Sequence, residues 1–536
     1  MPAPFTSRCL SALLAGAALL APTAAQARSP ARELRAALPQ LLDDEEAATA
    51  ARDAVAALTG EGADLARAAD AVDLLVDAFQ WLERELEPEV QKRHRILRGD
   101  GSSMRLGRLR HRVQRGRDVQ DAILAALRDG ALAAAPAAGP AMREALQRAG
   151  NAPFALRLAL AERAAADAEA AAAWVADAMD PRGKVAADDA IVLLRAIAAL
   201  GPRAGTAARL PIAWLEHASV DVRAAAVDAC VALALPQVLE PLVARLDVET
   251  GPLRERLLDA LVVLTAQHPG DAGASWRAWL AAEGASFLDG TRRLGGGDAA
   301  LRRRAPAAGG TAAGTYFGLP QDGSTLLYVV DRSLSMRQAG PRRGAGTTAG
   351  GRSADGESRW QYSLDELRQG IGRLRPEQRF QVMAFANRVL VWAEQPQPAT
   401  AANVEAAVAW LDGLGLEYET NAYDALELSF VLAGRGARDR YYPGEIDTIF
   451  FLTDGEPTRP TEQGRLRGGD AYDDPAQVLA AVRRWNPLGR VTIHTIGISL
   501  TATGRRARNG GRAPANARQF LRDLALQNGG TFVDRR

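Results

Sequence analysis

The chain has 536 residues, too many for one ordinary domain. Its 48% hydrophobic and 24% charged residues exclude a globally disordered polymer, and a net charge of +1 excludes a polyanion binder that works by bulk charge. Two cysteines exclude a disulfide scaffold and any zinc site built mainly of cysteine.

In chain order the first element is an address. Arg8 supplies a positive start, Cys9–Ala21 an apolar run, and Ala25-Gln26-Ala27 the small residues of an A-x-A cleavage pattern. Residues 1–27 therefore predict a secretory signal and an exported chain, periplasmic or extracellular, with no transmembrane helix after signal removal. The run is short of the about 20 apolar residues a spanning helix needs; the bland alternative is an uncleaved N-terminal anchor. Cleavage would take Cys9 and leave Cys230 as a lone thiol in an apolar helical pattern, which reads as packing rather than chemistry.

Residues 28–284 are predicted all-α, rich in alanine and punctuated by Pro and Gly, as at Gly201-Pro202, Pro236 and Gly251-Pro252. Val222–Leu233 aligns with Leu253–Leu264 at an offset of 31 residues, matching Arg223 to Arg254 and Asp228 to Asp259. Val222, Ala226, Val227, Cys230 and Leu233 fall at the spacing of one buried stripe. This pattern resembles HEAT-type α-solenoid repeats over about residues 150–284. A solenoid exposes a long surface, so the region predicts either a scaffold with room for a second partner or a packed helical domain without a binding role. A basic segment runs from Lys92-Arg93-His94-Arg95 to Arg115 and Arg117. It reads first as a solvated face balanced by Asp43-Asp44-Glu45-Glu46 and other acids, and second as a contact for an anionic surface.

Residues 285–314, with Gly295-Gly296-Gly297 and Arg302-Arg303-Arg304, predict a flexible linker. Residues 315–536 then alternate strand and helix. Strands are predicted at Thr325–Val330, Phe380–Phe385, Ile446–Leu452, Val491–Ile498 and Thr531–Val533, and helices at Arg359–Leu374, Val404–Leu411, Ala422–Leu432 and about Ala515–Gln527. That alternation predicts a doubly wound, Rossmann-like α/β domain with a mostly parallel sheet, whose ligands bind beyond the carboxyl ends of the strands.

At those ends stand Asp331, Ser333 and Ser335 after one strand, Asp454 after another, and Thr420 opening a helix. Three hydroxyls and two carboxylates are hard oxygen donors, suited to Mg²⁺, Mn²⁺ or Ca²⁺ rather than Zn²⁺. Each alone is also a common turn or cap residue. Together, D-x-S-x-S, then T, then D resembles the von Willebrand factor A domain with its metal-ion-dependent adhesion site, over about residues 315–536. The resemblance implies that Asp331, Ser333, Ser335, Thr420 and Asp454 hold a divalent cation, most readily Mg²⁺, with one coordination position open to an acidic side chain of a protein partner. Leu334 stands where the family often has Gly, and Arg337–Glu357 reads as an insertion beside the metal loop.

No H-E-x-x-H, G-x-S-x-G or Walker loop is present, and Gly344–Ala349 matches a dinucleotide pattern only nominally. The five histidines suggest no triad, and His494 reads as structural. The leading expectation is an exported, non-enzymatic protein-binding chain that engages no nucleic acid. The alternatives are a metal-dependent hydrolase or enzyme subunit, and a structural cell-envelope scaffold.

Overall fold

The computed structural model describes residues 29–60, 67–98, 103–129, 131–135, 137–148, 152–164, 168–179, 185–298, 314–341, 357–418, 420–433, 446–455, 475–500 and 513–535. The signal predicted at residues 1–27 lies outside them. The chain gathers into two compact units. One is made by residues up to Arg93 with Arg105–Ala171, the other by His94–Met104 with Ala172–Arg536. Among the described residues no single helix is long and apolar enough to cross a membrane.

The first stretch is helical: α1 (Pro30–Ala37), α2 (Glu45–Thr59), α3 (Ala68–Arg98), α4 (Ser103–Asp129), α5 (Ala138–Arg148), α6 (Phe154–Ala164) and α7 (Ala168–Ala178). α2 shows how the composition works. Asp44 caps it by accepting from the Glu46 amide at 3.0 Å, and Ala47, Ala48, Ala51, Ala54 and Val55 form its buried stripe. Three arginines of the basic segment are paired within this unit. Arg115 donates to Glu45 at 2.9 Å, Arg117 to Glu83 at 2.7 Å, and Arg112 pairs with Asp43. The balancing acids include two of the four expected, Asp43 and Glu45.

The second unit begins with further helices: α8 (Ala187–Leu200), α9 (Val220–Leu233), α10 (Leu239–Arg245), α11 (Gly251–Thr265) and α12 (Gly273–Glu283). α8, α9 and α11 pack in succession. The repeat seen in sequence occupies α9 and α11. Val222, Ala226, Val227, Cys230 and Leu233 are buried, and so are Leu253, Leu257, Leu258, Leu261 and Leu264, each 31 positions on. Asp228 stitches the stack, reaching Arg256 of α11 at 3.0 Å and Arg195 of α8 at 3.6 Å. Burial pushes the Cys230 thiol up to about 12, as expected of a packing residue. The stretch read as a linker starts as structure: Ala285–Leu288 is a short helix, and the Gly295 and Gly297 amides donate to Leu264 and Val263 of α11 at 2.7 and 3.0 Å. Only glycine fits at 297, where a Cβ would lie 2.0 Å from the Val262 carbonyl. Residues 299–313 lie outside the described set.

The remainder is an α/β sheet domain. A short hairpin, β1 (Thr315–Tyr316) and β2 (Leu319–Pro320), precedes it, turning on Phe317 and Gly318, both at positive φ. The seven-stranded sheet comprises β3 (Thr325–Asp331), β4 (Arg379–Phe385), β5 (Val389–Val391), β6 (Gln397–Pro398), β7 (Thr448–Thr453), β8 (Thr492–Ile498) and β9 (Phe532–Arg535). Its order is β5-β4-β3-β7-β8-β9, with β6 beside β4; β5 and β6 run antiparallel to β4 and the other pairs are parallel. β3 and β7 are buried along their whole length, which is why they read as unbroken apolar runs.

Helices cover both faces. α13 (Arg359–Ile371) and α14 (Ala401–Asp412) share one core cluster with Leu326, Tyr328, Val330, Phe450 and Leu452. α15 (Ala422–Leu432), α16 (Pro475–Trp485) and α17 (Ala513–Gln527) pack in series, and Thr495 of β8 donates to Leu521 of α17. Tyr328, Phe450 and His494 are in register on three adjacent strands and stack ring on ring at 5.3 and 5.1 Å. His494 also accepts the Thr531 amide at 3.1 Å, a structural role. The doubly wound α/β class predicted from the alternation is the one observed.

The loop before β8, Pro487–Arg490, docks on the helical stack. Arg256 donates to Leu488 O at 3.2 Å, Arg195 to Pro487 O at 3.4 Å, and Arg490 lies 3.6 Å from Asp221. This contact sits at the amino ends of the parallel strands, leaving the carboxyl ends to the loops that follow β3 and β7.

Candidate functional site

After β3 the chain pairs outward to β4, then crosses back over β3 to β7. The order therefore reverses between β3 and β7, the kind of switch point at which open α/β sheets form a ligand crevice. Register does the rest. Val330 pairs with Leu452, so Asp331 arrives beside Thr453, with Asp454 one residue further.

Asp331 is fully buried, and both its oxygens are engaged. Oδ1 accepts the Ser333 amide at 2.7 Å and Oδ2 the Thr453 hydroxyl at 2.5 Å. Ser333 and Ser335 place their Oγ atoms 2.9 Å apart, and Ser335 Oγ donates to Asp454 Oδ1 at 2.7 Å. Four of the five predicted residues thus form one hydrogen-bonded group, closed by Thr453. Leu334 opens a 3₁₀ turn, Leu334–Arg337, a right-handed conformation open to any L-residue. The loop therefore has no need of the glycine often found there. Met336, fully buried in the core beneath, pins the turn.

Thr420 is buried and directly precedes α15, whose cap Asn421 accepts the Asp424 amide at 3.2 Å. Its segment is tied to both neighbouring strand ends. The Glu417 amide donates to Arg332 O and the Asn421 amide to Ala386 O, each at 3.0 Å. Thr420 therefore lies at the same end of the sheet as the other four.

Three side chains at this site carry no signal in the residue spacing. Thr453 is hidden as the last residue of a strand. Arg332 is buried and reaches away from the aspartates, donating to Gly415 O at 2.7 Å and pairing with Glu417 at 2.9 Å. Arg359, 5% exposed, donates from Nη1 to Asp454 Oδ2 at 2.7 Å across 95 residues of sequence. The ends of the predicted insertion are zipped beside it. The Gly340 amide donates to Glu357 O and the Arg359 amide to Gln338 O, both at 2.8 Å; residues 342–356 lie outside the described set.

Burial, and then the charge of Asp454, pushes Asp331 up from 3.8 to about 7, against the hydrogen bonds from Thr453 and Ser333. Among the described residues, two buried carboxylates beside one guanidinium leave one negative charge over when both are ionised. Such a charge seeks a cation, and the surrounding hydroxyls add hard oxygen donors. Among the described residues no three His, Cys, Asp or Glu side chains converge as a metal cluster; the fit here rests on two carboxylates and the hydroxyls.

No family model matches the chain. Over 86 residues it is 30% identical to the inter-alpha-trypsin inhibitor heavy chain H4 of Bos taurus, a stretch that is 16% of this chain and 9% of that protein. The chain thus spans less than a tenth of that relative's length. Among solved structures it is similar to a von Willebrand factor type A protein from Catenulispora acidiphila, with TM-score 0.27 and 17% identity over 40% of this chain and 39% of that one. It is also similar to an aerotolerance-related membrane protein from Bacteroides fragilis NCTC 9343, with TM-score 0.24 and 14% identity over 40% of this chain and 91% of that one.

Proposed function

We propose that the chain is an exported binding protein whose carboxyl-end crevice is a metal-ion-dependent adhesion site of the von Willebrand factor A type. Asp331, Ser333, Ser335, Thr420 and Asp454 would hold the cation, most readily Mg²⁺, with Mn²⁺ or Ca²⁺ as substitutes. The observation that carries this reading is the hydrogen-bonded Asp331–Ser333–Ser335–Asp454 group at the switch point of the sheet, with both carboxylates buried and, among the described residues, one guanidinium bound to the group. When bound, the cation supplies a positive centre for an acidic side chain of a protein partner. The residues themselves orient and desolvate: Thr453 and the Ser333 amide fix the Asp331 carboxylate, and Met336 holds the serine turn on the core.

Binding is favoured over turnover by the make-up of the linked group. The donor set resembles that of a binding module, and a role for Asp331 or Asp454 as general base is the enzyme alternative. The helical stack serves as scaffold, holding the sheet through the Pro487–Arg490 loop. Export rests on residues 1–27.

The test is Mg²⁺-dependent capture of a partner from envelope extract by the wild type and by Asp331→Ala, with and without EDTA, alongside titration of each purified protein with Mn²⁺. Capture lost with EDTA and lost in Asp331→Ala supports the reading. Capture indifferent to both, or a wild type that takes up no Mn²⁺, overturns it. Hydrolytic turnover lost in Asp331→Ala would move the site to the enzyme alternative.

A further inference from the structure

The two aspartates of the crevice are not equivalent. Among the described residues Asp331 is met by neutral donors, the Ser333 amide and the Thr453 hydroxyl. Asp454 is met by the Ser335 hydroxyl on one oxygen and by the Arg359 guanidinium on the other, each at 2.7 Å. Asp454's side chain is fully buried and that of Arg359 is 6% exposed, so water screens the pair little.

Arg359 is also fixed from behind. It is the first residue of α13, directly after Ser358, which forms a capping box with Gln361, and its amide is held by Gln338 O at the base of the zipped loop. Arginine guanidinium groups carry a permanent positive charge in proteins.

We propose that Arg359 is a resident counter-charge of the cation site. It neutralises Asp454, leaves Asp331 with the uncompensated charge, and holds the affinity for a divalent ion low enough for that ion to exchange. Arg359 is thus a positioning and tuning residue rather than a ligand. The inference rests on the metal reading of the crevice and adds to it which residue sets the affinity.

The test is titration of the full chain with Mn²⁺, free ion read by electron paramagnetic resonance, with fold checked by circular dichroism and thermal unfolding in EDTA. Removing one positive charge that shares a carboxylate with the ion should tighten Mn²⁺ by about tenfold in Arg359→Met, while Arg359→Lys stays within about threefold of wild type. A folded Arg359→Met whose affinity is unchanged or weaker overturns the inference. Should that variant fail to fold, Arg359→Gln removes the charge while keeping a hydrogen-bond donor for Asp454. It should also bind Mn²⁺ about tenfold more tightly than wild type, and an affinity unchanged or weaker there overturns the inference. A wild type that binds no Mn²⁺ removes the metal reading and the inference together, whereas wild-type binding lost in Asp331→Asn with Arg359→Met unchanged removes the inference alone.

Discussion

Asp447 and Asp331 stand at opposite ends of the central strands, and both are carboxylates that burial pushes above the ordinary value. At the amino end Asp447 accepts the Ser324 and Thr325 amides at 2.7 and 3.3 Å and the Thr448 hydroxyl at 2.9 Å. Its own backbone links onward, the amide to Thr325 O and the carbonyl to the Thr492 amide, so one residue laces the starts of β3, β7 and β8. At the carboxyl end Asp331 accepts two donors and faces a second carboxylate. The first acid is consumed by the fold. The second is held by fewer donors against a second carboxylate, and on the proposed reading that difference separates a ligand from a strut.

The comparison can be broken most directly at Asp447. Asp447→Ala strands three donors at a partly buried position and should cost about 3 kcal/mol in urea unfolding. Asp331→Asn, in EDTA, should cost under about 1 kcal/mol or stabilise, because it removes repulsion with Asp454. The reverse order would show that Asp331 is the strut.

Next comes pH. The folded value of Asp331, about 7, lies above the ordinary 3.8, so between them the native state holds a proton that the unfolded chain has released. Its contribution to stability is full below the ordinary value and is lost as pH rises through about 7. Thermal unfolding in EDTA should therefore show wild type losing stability relative to Asp331→Asn across that window; parallel curves would refute the assignment.

A smaller effect is expected from Ser335→Ala, which removes one hydroxyl donor to Asp454 and should cost about 1 kcal/mol in EDTA while weakening Mn²⁺. Unchanged Mn²⁺ affinity would exclude Ser335 from the donor set. Smallest is Asp221→Ala, which loses a partly exposed ion pair with Arg490 and should cost about 0.5 kcal/mol. A cost of several kcal/mol would mean that the stack holds the sheet more strongly than this pair implies.

The strands, and the residues that gather at their ends, were legible because the apolar runs of β3 and β7 end directly in polar residues of one chemical kind. The repeat was legible because burial recurs at the same five positions of α9 and α11. Arg359 was not, because a contact across 95 residues leaves no local spacing. Thr453 merged into its strand. The edge strands β5 and β6, three and two residues long, are too short for alternation to register, and α16 follows a Gly- and Asp-rich stretch that masks its start.

The Pro487–Arg490 loop and the Asp331–Asp454 crevice lie at opposite ends of parallel strands. A partner pulling at the crevice while the helical stack holds that loop would load β3, β7 and β8 lengthwise. Their ladder hydrogen bonds would then share the force in shear rather than open one after another. On the proposed reading, such a linkage would yield late and abruptly under tension.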